Sequence, residues 1–543
     1  MRLMLFAFAF LLLFPFSSAR AADINEDGAQ RLKAAFEKII DYVDTVYGTE
    51  GMGSTEPLMT FEGDLQVTQE EAFYSVTWPR MVYNDPAVGK IDFGVFVFNA
   101  VADEKDGTWK LTMAIPANYT FSPVEGEAVT VNIGAQNAVG LFNEKLGHFT
   151  KLDARYENIS LSGADIELDE FVVGNMHMVM NLEEDENGAL SGPASASFSD
   201  ISVQPSGEDI SIKIGRLALN YAMNQFVPID LDDYKKRFLK HADTFKSLNQ
   251  IAVEKPAEAP VKEADGKAIM DMMLDLYGFE MDGFDLIYRL EDLRIESTNP
   301  EELAEDDFQR FSLAKAFFGL GLGGLNAGDG HLEIGLGYSG IDAAPVEDGY
   351  MDVVPQDLKF KVRAEKIPVK TLSDLGTNTM TAIAENPEMM QMAGFGMAMK
   401  LPAILSQAGT RIVIEDNYMK NALYHAALKG QITADINAVG SAVGKINGVF
   451  EGLDALYALA SQNAENTALK DAAEFKDLMR NLDMLKSYGT PGTGPNGKPA
   501  YVYEFELTPQ GKFLLNGQEM SPQGMPPANN NAPLKNDAAG APL

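Results

Sequence analysis

The chain reads as an α+β protein of elongated, predominantly antiparallel β units, with helices packed on them and an internal duplication. Three observations predict this. Long stretches alternate apolar and polar residues with period two, the pattern of half-buried strands. Turn signals such as Lys105-Asp106-Gly107 and Glu186-Asn187-Gly188 separate those stretches. Finally, Ser199-Asp-Ile-Ser-Val-Gln-Pro205 is echoed by Ser339-Gly-Ile-Asp-Ala-Ala-Pro345, and Val227-Pro228-Ile229 by Ile367-Pro368-Val369, both at an offset of 140 residues.

Taken in order, Arg2, the apolar run Leu3 to Phe16 and the small-x-small site Ala19-Arg20-Ala21 form an expected secretory signal over residues 1–21. The run is too short to span a bilayer as a helix. Residues 22–253 are expected to form an N-terminal helix and a β-rich unit. Leu32, Phe36, Ile39, Ile40, Val43 and Tyr47 share one face of a helix over 30–47, which Gly48 ends. A meander follows over 60–135, with strands such as Phe73 to Thr77 and Trp109 to Ile115. Further strands are expected at 156–161, 166–171, 176–182, 195–203 and 210–221, then a helix at 232–252.

Residues 254–266 lack apolar periodicity and read as a linker. A second β-rich unit is expected over 267–520. It begins with helices at 267–277 and 300–318, the latter with Asn299, Pro300, Glu301 and Glu302 as start signals. Strands are expected at 331–338, 350–354 and 357–366, a Met-rich helical region at 378–400, strands at 410–416 and 423–436, and a helical block at 438–486. A hairpin of 501–507 with 512–517 closes the unit. The Pro- and Asn-rich residues 521–543 are expected to be disordered. The strand pattern slips by one between the two copies: Leu217, Leu219 and Tyr221 match Leu358, Phe360 and Val362 at offset 141, as a bulge would produce.

Composition excludes several classes. The 543 residues contain no cysteine, so disulfides, thiolate metal sites and a thioether-linked lipid anchor are ruled out. The net charge of −36, or −38 once Arg2 and Arg20 leave with the signal, repels nucleic-acid phosphates. No nucleic-acid partner is expected, and no integral membrane segment after signal cleavage.

Candidate chemistry is sparse. Gly319-Leu-Gly-Leu-Gly-Gly324 fits a dinucleotide fingerprint, but a helix is expected before it and a strand after, the reverse of the required order. Ser312 and Lys315 fit S-x-x-K without the partner motifs of penicillin-recognising enzymes. The five histidines, His148, His177, His241, His331 and His425, show no metal-ligand spacing. Met176, Met178 and Met180 share one strand face, with His177 on the other. Thioethers suit Cu(I), but such a row also suits a packed or ligand-lining sheet. Met389, Met390 and Met392 are read as core filler or as an adaptable apolar surface. These six methionines are the candidate ligand or partner surface. No catalytic, metal-binding or cofactor-binding residue is expected, and no cofactor.

Lys400-Leu-Pro-Ala-Ile-Leu405, Thr410-Arg-Ile-Val-Ile-Glu415, Gly430-Gln-Ile-Thr433 and Gly511-Lys-Phe-Leu-Leu-Asn-Gly-Gln518 resemble the YdgA-like family of bacterial envelope proteins of unknown function, over about a quarter of the chain. The resemblance implies an envelope location and transfers no site residue. The expected function is that of an exported, periplasmic or secreted, non-enzymatic protein binding a lipid-like ligand or an envelope partner. The alternatives are a carboxylate-dependent hydrolase of envelope polymers and a copper-handling protein.

Overall fold

The computed structural model describes residues 24–48, 57–86, 88–163, 168–245, 272, 275, 281–299, 308–326, 328–345, 350–385, 390–465 and 472–520. The expected signal, the linker and the C-terminal tail lie outside these residues. The chain divides into two compact units, one of Met1–Ala327 with Tyr338–Pro345, the other of Gly328–Gly337 with Val346–Leu543. Both are built of antiparallel strands with helices packed on them, the expected α+β class.

The first unit opens with helix α1 (Glu26–Tyr47), capped by the Asn25 side chain, which accepts from the Gly28 N–H. Eight short strands follow: β1 (Met59–Glu62), β2 (Gln66–Gln69), β3 (Tyr74–Thr77), β4 (Arg80–Asp85), β5 (Gly89–Gly94), β6 (Val97–Ala102), β7 (Thr108–Ala114) and β8 (Asn118–Pro123). Then come long strands β9 (Val129–Asn143), β10 (His148–Ser162) and β11 (Leu168–Asn181), the short β12 (Glu183–Glu184), and β13 (Leu190–Pro205) and β14 (Ile210–Phe226). Helix α2 (Leu231–Lys240), β15 (Gly283–Ser297), β16 (Arg310–Gly323) and the end of β17 (Gly330–Ala344) complete the unit. The turns that the sequence marks hold: Gly107 and Gly188 take φ +77° and +83°.

The long strands pair in sequence order, β9–β10–β11–β13–β14–β15–β16. At β9 the sheet forks. One half of its free edge pairs with β7, which leads to β6, β3 and β2; the other half pairs with β8, which leads to β5, β4 and β1. Both branches and α1 pack one core against β9–β13. Phe36 of α1 lies at its centre, with its ring 5.2 Å from Phe142, 5.5 Å from Phe98 and edge-on to Trp78 at 5.5 Å.

A row of special residues crosses the long strands. Asn158, Asp200, Asp292 and Gly340 adopt φ of 53°, 55°, 53° and 67°. Opposite or beside them stand the small residues Gly134, Gly174, Gly215 and Ala314, without a register shift on either side. A Cβ added at Gly174 would lie 2.8 Å from the Asp200 Cβ, and one at Gly215 2.9 Å from the Asp292 Cβ. Asn, Asp and Gly are the residues that tolerate the left-handed region. Each such residue turns the strand over, and the apolar alternation changes phase: Leu152, Ala154 and Tyr156 before the row, Ile159 and Leu161 after it. Ile159 still packs on the same core, so the phase change keeps apolar side chains on one face.

This row accounts for the Ser-x-Ile echo. Ser199-Asp200-Ile201 and Ser339-Gly340-Ile341 are two of four such positions, with Glu157-Asn158-Ile159 and Glu291-Asp292-Leu293 the others. The repeating element is therefore the kinked strand, and both echoed segments lie in the first unit. The proline echo marks a different event. Pro228 follows β14 and precedes α2, and Pro368 follows a strand and precedes a helix in the second unit, where a residue without an N–H ends the ladder.

The second unit contains helix α3 (Tyr350–Val353), β18 (Asp357–Ile367), helices α4 (Val369–Glu385) and α5 (Met390–Ala408), and strands β19 (Arg411–Lys420), β20 (His425–Ala434) and β21 (Ala442–Glu451). Helices α6 (Leu453–Glu465) and α7 (Ala472–Tyr488) follow, then β22 (Thr490–Thr493), β23 (Pro499–Leu507), β24 (Phe513–Leu515) and β25 (Gln518–Glu519). The strands pair β18–β19–β20–β21–β23. Phe450, Leu456, Ala460, Phe475, Leu482 and Tyr503 form its core, with α6 and α7 against the sheet.

Three elements depart from the sequence expectation. Residues 310–318 are strand β16, not helix; the start signals at Pro300 to Glu302 lie outside the described residues. Residues 442–451 are strand β21, whose apolar residues are spaced as if helical but which pairs with β20 and β23 along its length. Residues 350–353 are one helical turn, not a strand.

Candidate functional site

The long strands of the first unit place directly opposed residues on one face. Three rows cross six strands, β10, β11, β13, β14, β15 and β16. One runs Tyr156–Met176–Phe198–Leu217–Leu290–Ala316, the next Ala154–Met178–Ala196–Leu219–Tyr288–Phe318, the third Leu152–Met180–Ala194–Tyr221–Leu286–Leu320. None of these positions is charged. The opposite face is mostly polar, with Asp153, Arg155, His177, Ser195, Ser197, Asn220 and Arg289; there His177 Nε2 lies 2.9 Å from the Asp153 carboxylate.

The rows begin buried and end bare. Met176, Met178 and Met180 lie inside the core that α1 and the two branches enclose, with Met178 fully buried. From β14 onward the same rows emerge. Leu217 is 40% exposed, and Tyr288 and Phe318 are each 44% exposed. Leu219, Tyr221, Leu286, Leu290 and Leu320 are half-buried. The sequence-predicted methionine row is thus the covered end of an apolar face whose other end is open.

The second methionine cluster lies in the second unit. Met389 is outside the described residues, and the Met390 side chain is likewise undescribed. Met392 is exposed, and with Phe395 and Met399, at helical spacing, makes an apolar stripe along α5.

The second unit also has a cleft of about 400 Å³, lined by residues including Tyr418, Lys420, His425, Glu451, Asn496 and Lys498. Glu451 ends β21 and is 2% exposed. Its Oε1 accepts from the Asn496 backbone N–H at 2.8 Å, and its Oε2 accepts from Asn496 Nδ2 at 2.6 Å. His425 Nδ1 lies 3.6 Å from Oε2 and 3.3 Å from Asn496 Nδ2. Burial works against the Glu451 charge, but the Asn496 hydrogen bonds and the nearby His425 outweigh it and hold the carboxyl below its ordinary value of 4.5. Gly494 must be glycine here, because a Cβ would fall 2.1 Å from Glu451 Oε1. Sequence reasoning missed this cluster, whose members are widely separated along the chain.

Glu451→Gln is therefore expected to lower the unfolding free energy by about 1–3 kcal/mol at neutral pH, because an amide must turn its own NH2 toward one of the two Asn496 donors. The pH dependence has a definite sign. A carboxyl whose folded pKa is depressed adds stability above its unfolded pKa and loses it as pH falls through the folded value. Urea unfolding by far-UV circular dichroism should show an acid loss below about pH 4.5 that is smaller in Glu451→Gln.

The remaining sequence motifs do not assemble a site. Gly319 to Gly323 close strand β16, with no helix start after them. Ser312 and Lys315 lie on that same strand, opposite Arg294 and Glu291. Among the described residues no three His, Asp or Glu side chains group as a metal site, and no helix is long and apolar enough to cross a membrane. The chain matches no family model, no curated protein and no solved structure.

Proposed function

We propose that this is an exported, non-enzymatic cell-envelope protein that binds a lipid-like apolar ligand on the open end of its sheet face. The observation that carries this reading is the continuity of the three rows: one uncharged face, sealed by α1 and its branches over β9–β13, is left bare over β14–β16. Contiguous exposed apolar surface of this kind marks an interaction site, because water contact along it is unfavourable. A face without a charged group or a free hydrogen-bonding partner, the tyrosine hydroxyls aside, selects an occupant that is apolar along its length, such as an acyl chain. An envelope location agrees with the signal-like N-terminal sequence and with the resemblance to the YdgA-like proteins.

A fluorescent fatty-acid probe tests the reading. The double variant Leu217→Glu/Phe318→Glu is expected to weaken its binding by at least about tenfold, while stability moves by no more than about 1 kcal/mol, since both side chains are already half in water. Unchanged probe binding in that variant would remove the face from the account.

A further inference from the structure

The cleft of the second unit is chemically unlike the apolar face, and its unused hydrogen-bonding groups are nearly all donors. The Glu451 oxygens already accept from Asn496. Asn421, at the cleft edge, is likewise engaged: its Oδ1 accepts from the Leu423 and Tyr424 N–H groups and its Nδ2 donates to the Asp352 and Val354 carbonyls. The Asn496 orientation is fixed chemically, because its oxygen cannot face Oε2 at 2.6 Å. Its NH2 therefore also faces His425 Nδ1, which must accept when the ring is neutral. The ring proton then resides on Nε2, and in the charged ring Nε2 keeps it. In both states His425 presents a donor and not a base.

Three further donors line the same cleft. The Tyr418 hydroxyl and the Lys498 ammonium have no partner among the described residues, and Lys420 lies over the Tyr418 ring at 5.4 Å with only a loose contact of 3.5 Å to Asp357. Among the described residues the free side-chain acceptors here are Asn496 Oδ1 and the oxygen of the Tyr418 hydroxyl. In a chain of net charge −36, a cleft that offers two ammonium groups, an imidazole N–H and a phenol, over a carboxylate already satisfied, is a local exception.

We propose that this cleft binds an oxyanion, a phosphate or carboxylate group, through Tyr418, His425, Lys420 and Lys498, with Glu451 and Asn496 positioning the imidazole. Charge-assisted hydrogen bonds from such donors are the strong ones. The site is independent of the apolar face and does not rest on it. The oxyanion could be carried by a free small molecule or by a lipid headgroup, and the test separates these.

Titration of the full chain with glycerol phosphate by calorimetry, and co-sedimentation with vesicles of anionic against neutral phospholipid, are run on wild type, Tyr418→Phe and Lys498→Ala. A free ligand predicts saturable binding of glycerol phosphate, weakened about tenfold or more in Lys498→Ala and several-fold in Tyr418→Phe. A headgroup predicts preference for anionic vesicles, lost in the same variants. Leu217→Glu/Phe318→Glu should leave glycerol phosphate binding intact. Absence of both binding modes in wild type, or binding indifferent to the two cleft variants, overturns the proposal.

Discussion

Phe36→Ala is expected to lower the stability of the first unit by about 3–5 kcal/mol, the range for removing a large buried aromatic side chain. The ring is fully buried and has stacked or edge contacts to Phe142, Phe98 and Trp78. Its three ring neighbours come from β9, from β6 and from the segment between β3 and β4, so no single neighbour can collapse into the space. The readout is clean. The chain has two tryptophans, Trp78 and Trp109, and both lie in this core. Urea unfolding followed by tryptophan fluorescence should shift to a lower midpoint. A shift worth less than about 1 kcal/mol would mean that the core repacks without α1.

Gly174→Ala is expected to cost about 1–3 kcal/mol, although it adds one methyl group at a partly buried position. The added Cβ would stand 2.8 Å from the Asp200 Cβ and 3.5 Å from its carbonyl oxygen, so one strand must move. Asp200 is itself held at φ 55°, where glycine is at no disadvantage. Asp200→Gly should therefore be near neutral alone and should recover most of the loss in the double variant. Such a coupling, measured as a double-mutant cycle, isolates the close approach from any general effect of alanine in a strand. Additive effects would show that the kink row does not depend on this contact.

Much of the fold was legible. The alternation of the long strands, the Asn-Gly and Asp-Gly turns and the amphipathic pattern of α1 are local signals, and each element stands where its residues place it. The change of phase within the long strands was not legible. Asp200 and Gly174 are neighbours only once β11 and β13 pair. Strand β16 read as a helix because Phe317-Phe318 and the change of phase at Ala314 break the period-two pattern that identifies a strand. Strand β21 read as a helix because its apolar residues fall at helical spacing while its neighbours β20 and β23 dictate the extended state.

The sites were less legible than the fold. The rows through Met176, Met178 and Met180 have the same apolar pattern as those through Leu217, Tyr288 and Phe318. What separates covered from bare is the layer that α1 and β1–β8 lay over one end, a non-local fact. The cleft escaped for a similar reason. His425, Glu451 and Asn496 carry no motif spacing, and Asn496 sits in a Gly-Pro-Asn-Gly turn that reads only as a loop.

The bare end of the sheet face is the centre of the functional account, and native mass spectrometry of protein purified from its own host under mild conditions tests it most directly. Wild type should show a population carrying an added mass of lipid-like size, lost in Leu217→Glu/Phe318→Glu. Wild-type protein found only at its bare polypeptide mass, and unable to take up added fatty acid, would contradict it.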